Sequence, residues 1–172
     1  MSFRLVSIGA VLATAALAGI WAAPAFAQSE VQAPADARYV FVGVSKNDAG
    51  VATATYVAAP EKAAQHGQVQ VWVIDVFQAP LTTPKGVGAY STADETIDCD
   101  NSAVRTRRGG LFDASGTMID SFTSDGGFEV SAPGSMGYAT GIIVCKSNFG
   151  DVSSVSGLAA ALSDGKTRPS NP

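Results

Sequence analysis

Few residues in this sequence have the type and spacing that catalysis needs. His66 is the only histidine in the chain, so a Ser-His-Asp triad would have to use it. It lies in the polar run APEKAAQHGQ at 59–68, which predicts a loop. The run PGSMG places Pro133 where a nucleophile elbow around Ser135 needs glycine. The sequence therefore predicts that His66 is an exposed loop residue, that Ser135 caps a helix, and that the protein is not an enzyme.

Four acidic residues crowd one predicted strand end: Asp94, Glu95, Asp98 and Asp100. Paired carboxylates can perform acid–base chemistry or bind calcium. A calcium loop that began at Asp98 would need glycine and glutamate where the chain has Ala103 and Gly109. Two interpretations stay open: a solvated acidic rim, or a periplasmic small-molecule-binding or enzyme-like domain that uses residues 94–100. No metal-ligand set, phosphate-binding glycine motif or dinucleotide fingerprint is present, so we expect no metal and no cofactor.

One basic cluster is formed by Arg105, Arg107 and Arg108. Arg105 and Arg107 stand two residues apart, so on a strand they project from the same side. One interpretation is that they pair with the acidic strand before them, which would be their hairpin neighbour. The other is a contact with an anion or a partner protein, because arginine forks suit carboxylates and sulfates. These three arginines are the candidate partner-contact residues.

The two cysteines, Cys99 and Cys145, allow a single disulfide. An even number of cysteines in an oxidising compartment indicates a bridge. The rival interpretation is a pair of metal ligands, but two distant thiolates and one histidine make a poor zinc set. The sequence therefore favours a Cys99–Cys145 disulfide.

The first 27 residues have the pattern of a cleavable signal peptide. The positive charge of Arg4 precedes an uncharged apolar run and a small-residue Ala-Phe-Ala site that ends at Ala27. A single membrane anchor is the alternative, because the apolar run is near spanning length. Cleavage between Ala27 and Gln28 would leave no cysteine at the new N-terminus for lipid attachment. We expect an exported protein, periplasmic or secreted or at the cell surface, without a stable membrane anchor after cleavage.

The remaining chain has the length of one domain. We expect a signal peptide at 1–27, a flexible lead-in at 28–37, a β-rich domain at 38–150, and a short helix with a frayed tail at 151–172. The formal net charge is −4. An acidic chain repels phosphate backbones and anionic lipids, so nucleic acid is not an expected partner.

Alternating apolar and polar residues between turn clusters predict about six strands, at 38–44, 51–58, 69–79, 89–99, 104–113 and 117–122. A short extended stretch follows at 128–130. The segment 69–79 carries apolar residues on both faces, so we expect it to be central. Residues 136–145 have helical spacing, but two glycines leave a strand as the alternative, and residues 152–162 suit a short helix. The pattern indicates an α+β fold built on an antiparallel meander.

Several segments in order resemble the surface-adhesin protein E family of exported bacterial proteins. They are VWVIDVF at 71–77, IDCD at 97–100, VRTRR at 104–108, APGS at 132–135 and VC at 144–145. The resemblance runs from about Arg38 to Cys145. It implies an antiparallel sheet with one or two C-terminal helices packed on one face and tied to it by a disulfide between Cys99 and Cys145. It also implies a binding role in place of catalysis.

The expected function follows from that resemblance. We expect an exported, non-catalytic protein of the adhesin-E type that binds another protein, or itself, through its sheet. The candidate partners are extracellular or envelope proteins. An exposed sheet edge can also pair with a second copy, which would give a homodimer.

Overall fold

Eight strands form one antiparallel sheet in the residues that the computed structural model describes, which are 31–46, 48–60, 66–146, 148–150 and 152–169. The strands are β1 (Arg38–Lys46), β2 (Ala52–Ala58), β3 (Gln68–Thr83), β4 (Gly86–Asp98), β5 (Ala103–Phe112), β6 (Met118–Thr123), β7 (Glu129–Val130) and β8 (Ser154–Ser156). Seven follow the order β6-β5-β4-β3-β2-β1-β8, and β7 pairs with β5. The predicted signal peptide and its cleavage point between Ala27 and Gln28 lie outside the described residues.

The central strand β3 separates two hydrophobic cores. Successive side chains of a strand point to opposite faces of a sheet. Val73 therefore packs in one core with Val144, whereas its neighbour Ile74 packs in the other with Leu158. We call the first side the disulfide face and the second side the C-terminal face. The prediction that this strand is central and covered on both sides is confirmed.

The helix α1 (Met136–Cys145) covers the disulfide face. Ser135 precedes it with an extended backbone, and its hydroxyl accepts a hydrogen bond from the Tyr138 N–H at 3.2 Å. This bond satisfies one of the donors that a helix N-terminus leaves unpaired. The helix ends at Cys145, which is bonded to Cys99 with their Cα atoms 5.5 Å apart. Of the two alternatives for residues 136–145, a helix or a strand, the helix is therefore correct. The predicted disulfide between Cys99 and Cys145 is confirmed.

The second helix, α2 (Leu158–Gly165), packs on the C-terminal face. The sequence predicts one helix over 152–162, but the structure has the strand β8 in its first half. β8 fills the open edge of β1, where Val155 lies opposite Tyr39. Gly157 then has a φ of 88°, which ends the strand before α2 begins. Backbone pairing with the edge strand β1 therefore favours a strand at 154–156 over the helix that the local sequence pattern predicts.

The segment 31–37 is packed against the C-terminal face, which corrects the expectation of a flexible lead-in there. Val31 is 6 % exposed and Ala33 is 3 % exposed, because both fill space in the core of this face. The backbone N–H of Leu158 donates to the carbonyl of Ala35 at 2.8 Å. Burial and hydrogen bonds thus hold these residues, and residues 28–30 lie outside the described part.

The α+β class and the antiparallel sheet are confirmed. The sheet has more strands than the predicted six or so, because β7 has only two residues and β8 only three. The helices α1 and α2 lie on opposite faces of the sheet, so each core has its own cover. No helix in the described residues is long and apolar enough to span a bilayer.

The residues after α2 are anchored, which corrects the frayed tail for the stretch up to Pro169. Asp164 accepts hydrogen bonds from the Tyr56 hydroxyl at 2.6 Å and from Nε of Arg168 at 2.7 Å. The Arg168 guanidinium also lies over the Phe41 ring, 4.4 Å from its centroid. A charged, hydrogen-bonded network therefore fastens this end to β1 and β2.

The Asp164 network predicts a pH-dependent stability. Burial raises the pKa of Asp164, but the hydrogen bonds from Tyr56 and Arg168 and the arginine charge lower it more, so the pKa is below its usual value. The ionised carboxylate therefore stabilises the fold above the unfolded pKa, about 3.9, and this contribution is lost as the pH falls through the lower folded pKa. We expect Asp164→Asn to lower the free energy of unfolding by about 1 kcal/mol at neutral pH.

Urea denaturation of both proteins between pH 7 and pH 2.5 measures this effect. The difference between wild type and Asp164→Asn should shrink below about pH 4 and approach zero near the acid end. Contributions from other carboxylates are common to both proteins and cancel in the difference. A difference that stays constant across the range would contradict the role given to Asp164.

Candidate functional site

An interruption in the outer row of strands defines the candidate site. β6 pairs with β5 over 108–112, and β7 pairs with β5 only at Ala103 and Val104. The stretch of β5 between these partners, residues 105–107, carries two of the three candidate arginines, and Arg108 follows directly. Side chains from this stretch therefore meet a loop in place of a neighbouring strand.

A β-bulge places two of the arginines beside one carboxylate. The register of β5 against β4 shifts by one residue at this point, so that Asp94 lies opposite Arg108 and Glu95 opposite Thr106. The Arg108 Nε lies 3.1 Å from Oδ2 of Asp94, and Arg107 Nη1 lies 3.8 Å from the same oxygen. Because the bulge adds one residue, both guanidiniums reach the same side of the sheet.

Asp94 is the anchor of this arrangement. Its side chain is fully buried, with 0 % exposure, and Oδ1 accepts a hydrogen bond from Nε2 of Gln70 at 2.8 Å. The Arg108 guanidinium also lies 5.9 Å from the centroid of the Trp72 ring. A buried carboxylate is stable only when it is paired and hydrogen-bonded, and here Gln70 and the arginines provide those partners.

Arg105 is placed differently from the predicted pairing with the acidic strand. Its guanidinium carbon lies 4.9 Å from the centroid of the Phe128 ring, in a cation–π contact. Its Nε atom is buried and has no hydrogen-bond partner among the described residues. Of the two arginines expected to pair with the acidic strand, Arg107 lies against Asp94, whereas the guanidinium of Arg105 lies against the Phe128 ring. Arg108 also pairs with Asp94.

The three arginines line a groove of about 470 Å³, which we call the arginine groove. Its lining is Arg105, Arg107, Arg108, Thr123, Ser124, Asp125 and Gly126. The loop after β6 forms one wall, and the backbone N–H of Ser124 donates to the carbonyl of Arg107 at 2.7 Å. The lining of the groove thus combines three guanidiniums with the carboxylate of Asp125, above the buried Asp94 that pairs with two of them, and it is suited to hold an anion.

The acidic residues of 94–100 are not brought together at one site. Asp94 and Asp98 are four residues apart on β4, which separates them by about 13 Å. Asp98 accepts hydrogen bonds from the backbone N–H groups of Asp100 and Asn101, each at 3.1 Å, and so stabilises the turn after β4. Hydrogen bonds from Asn101 lower the pKa of Asp98. These carboxylates have structural partners instead of a shared site.

Glu95 points to the disulfide face, where it accepts a hydrogen bond from the Thr106 hydroxyl at 3.3 Å and lies near the charge of Asp75 of β3, an acid that the sequence analysis does not select. Asp75 accepts a hydrogen bond from the Thr55 hydroxyl at 2.6 Å. Burial and, after it, the nearby charge of Asp75 raise the pKa of Glu95 to about 7, although the hydrogen bond from Thr106 opposes them. Burial also raises the pKa of Asp75, although the bond from Thr55 opposes this. The signal in the sequence was a single acid inside the apolar strand VWVIDVF.

The two candidates for nucleophilic chemistry lie apart from the arginine groove. His66 is exposed in a turn with a φ of 51°, and Ser135 is the N-cap of α1. No group of three or more histidine, cysteine or acidic side chains in the described residues is arranged to hold a metal ion. Phe128, which the sequence predicts only in a short extended stretch, contacts the Arg105 guanidinium without lining the groove itself.

A scan against protein-family models matches residues 41–146 to the family described as surface-adhesin protein E. The matched region includes both cysteines, the arginine groove and the helix α1. Searches of curated proteins and of solved structures found no match. The family model covers more than half of the chain, and the family assignment rests on this match.

Proposed function

Because the chain belongs to the surface-adhesin protein E family, we propose that it is an exported, non-catalytic adhesin that binds another protein through the outer edge of its sheet. The family indicates an adhesin-type surface protein with a binding role. We also propose export through the signal peptide at 1–27 and release without a lipid anchor. It also assigns the contact surface to β5, β6, β7 and the loop between β6 and β7.

The observation that carries this proposal is the combination of apolar and arginine side chains at that edge. Phe122 on β6 is 51 % exposed and Val130 on β7 is 77 % exposed. They lie on the two partner strands of β5, where Phe122 is opposite Gly109 and Val130 is opposite Ala103. Protein interfaces are enriched in aromatic residues and arginine, and exposed apolar side chains at an edge favour burial against a partner.

A second copy of the chain is the other partner that this edge can accept. β6 is the last strand of the sheet on this side, so its outer backbone groups have no further strand beside them in the described residues. Pairing of two β6 strands would give a homodimer by continuation of the sheet. Sedimentation of the purified protein distinguishes this case, because only self-association depends on the protein's own concentration.

The proposal is tested by partner capture with a matched pair of variants. Phe122→Ser removes an apolar side chain from the proposed surface, and Val87→Ser removes one of similar exposure, 53 %, from the β3–β4 hairpin. Immobilised protein is exposed to envelope extract and to host matrix. We expect Phe122→Ser to reduce the captured protein at least fivefold and Val87→Ser to leave it within twofold. Capture that is absent in wild type, or equal in both variants, would overturn the proposal.

A further inference from the structure

We propose that the arginine groove binds the carboxylates of an acidic polypeptide segment. This inference rests on the proposed function in assuming a protein partner, and it adds the chemistry by which that partner is recognised. The site consists of Arg105, Arg107 and Arg108 with the loop 123–126.

Arg105 is the guanidinium that lacks a counter-ion. No described residue forms an ion pair with it, and its Nε is buried without an acceptor. Because no ion pair within the described residues involves Arg105, a ligand carboxylate need not displace an internal partner from its guanidinium. The Phe128 ring, 4.9 Å away, holds the guanidinium in place before a ligand arrives. Such preorganisation reduces the entropy lost on binding.

Arg107 and Arg108 show which anion the local geometry accepts. Both guanidiniums already lie against one carboxylate oxygen of Asp94, within 3.8 Å. That buried carboxylate fixes their positions, while the Arg107 side chain remains 46 % exposed at the groove. An arginine fork matches a carboxylate with two parallel donors, which a lysine ammonium does not provide. The exposed Arg107 side chain can therefore contact a ligand carboxylate as it contacts the carboxylate of Asp94.

The positive charge of the arginine groove attracts an acidic segment only at short range. The whole chain has a formal net charge of −4, so its long-range field repels an acidic partner. Three arginines line the groove with one aspartate, Asp125, and the buried Asp94 pairs with two of them, so one positive charge is left over. Only a segment that enters the groove experiences attraction, and salt screens charge interactions over about 10 Å at 0.1 M ionic strength. We therefore expect an acidic peptide to bind at the arginines and to bind more weakly at high salt.

The experiment measures binding of a fluorescein-labelled peptide of ten glutamates to the purified protein by fluorescence anisotropy at low salt. The matched variants are Arg105→Gln and Lys85→Gln, which each remove one positive charge. Lys85 is 63 % exposed and pairs with Asp120 outside the groove lining. We expect Arg105→Gln to weaken binding at least tenfold and Lys85→Gln to weaken it less than twofold. Equal losses in the two variants would overturn the proposal.

Two further variants keep the test independent of folding and of simple charge. Arg105→Lys keeps the charge but loses the fork, and we expect at least threefold weaker binding; wild-type affinity would refute recognition by the fork. Phe128→Leu leaves all charges in place and removes the ring beneath Arg105, with a similar loss expected. Thermal unfolding of each variant confirms that it is folded under the conditions of the binding measurement.

The remaining arms separate the possible anions. Sulfated polysaccharide and inorganic phosphate are used as competitors of the glutamate peptide. Binding of the polysaccharide without binding of the peptide would overturn the assignment to an acidic polypeptide. The outcome is also distinct from that of the partner-capture test. Peptide binding that depends on Arg105 can persist when no partner is captured, and a captured partner can prove insensitive to Arg105→Gln.

Discussion

Replacement of both Cys99 and Cys145 by serine is expected to lower the free energy of unfolding by about 4 kcal/mol. The bridge joins residues 46 positions apart, and its loss releases the conformational entropy of that loop in the unfolded chain. It also joins the end of α1 to the end of β4, on the face where Val144 packs. The bridge therefore ties the helix α1 to the sheet that it covers.

Guanidinium denaturation followed by circular dichroism measures this loss. Wild type in dithiothreitol is the matched control, because it has the same sequence without the bond and should unfold with the double variant. The oxidised wild type should unfold at a clearly higher denaturant concentration than either. Coincident transitions for the oxidised protein and the double variant would show that the bridge adds no stability.

The substitution Asp94→Ala is expected to cost about 3 kcal/mol of folding free energy, because it breaks a buried ion pair from one side. The carboxylate is fully buried, and its removal takes away the acceptor of the Gln70 hydrogen bond and one contact of Arg108. Arg107 is 46 % exposed and can be hydrated again, which keeps the loss at the low end for a buried pair. The arginine groove should become less ordered in the same variant.

Asp120→Ala is the matched control for Asp94→Ala. Asp120 also pairs with one cation, Lys85, at 2.7 Å, but its side chain is 41 % exposed. Exposed pairs contribute little, so we expect a loss below about 0.5 kcal/mol. Urea denaturation of the two variants at neutral pH gives the comparison directly. If Asp94→Ala loses no more stability than Asp120→Ala, the buried pair does not stabilise the fold.

The strands could be predicted from the sequence because their signals are local. The alternation over 69–79 identified the central strand, and the turn clusters fixed its hairpin neighbours. The strand β8 could not be predicted, since its stability comes from pairing with β1, more than a hundred residues earlier. The helix α1 was ambiguous because of Gly137 and Gly141. In the structure a Cβ on Gly137 would lie 3.1 Å from Oγ of Ser131, so the glycine serves close packing.

The candidate site was predicted in part. The composition of VRTRR identified the three arginines, because charge is visible in the sequence. The bulge that aligns Arg107 with Arg108 was not predictable, since it depends on the register between β4 and β5. The contact of Arg105 with Phe128 was equally hidden, because a loop brings the ring back from beyond β6. The residue type and charge of an arginine are visible in the sequence, whereas the residues that it contacts depend on the tertiary structure.

The anchored C-terminal stretch determines which side of the sheet faces a support when the protein is immobilised through that stretch. Arg168 lies over Phe41 of β1, and the arginine groove opens beside β5. Four strand spacings of about 4.8 Å separate β1 from β5, roughly 19 Å across the sheet. A sensor chip, bead or fused domain attached after Pro169 would therefore meet the β1 side of the sheet. The opposite edge, with its guanidiniums, would face the solution.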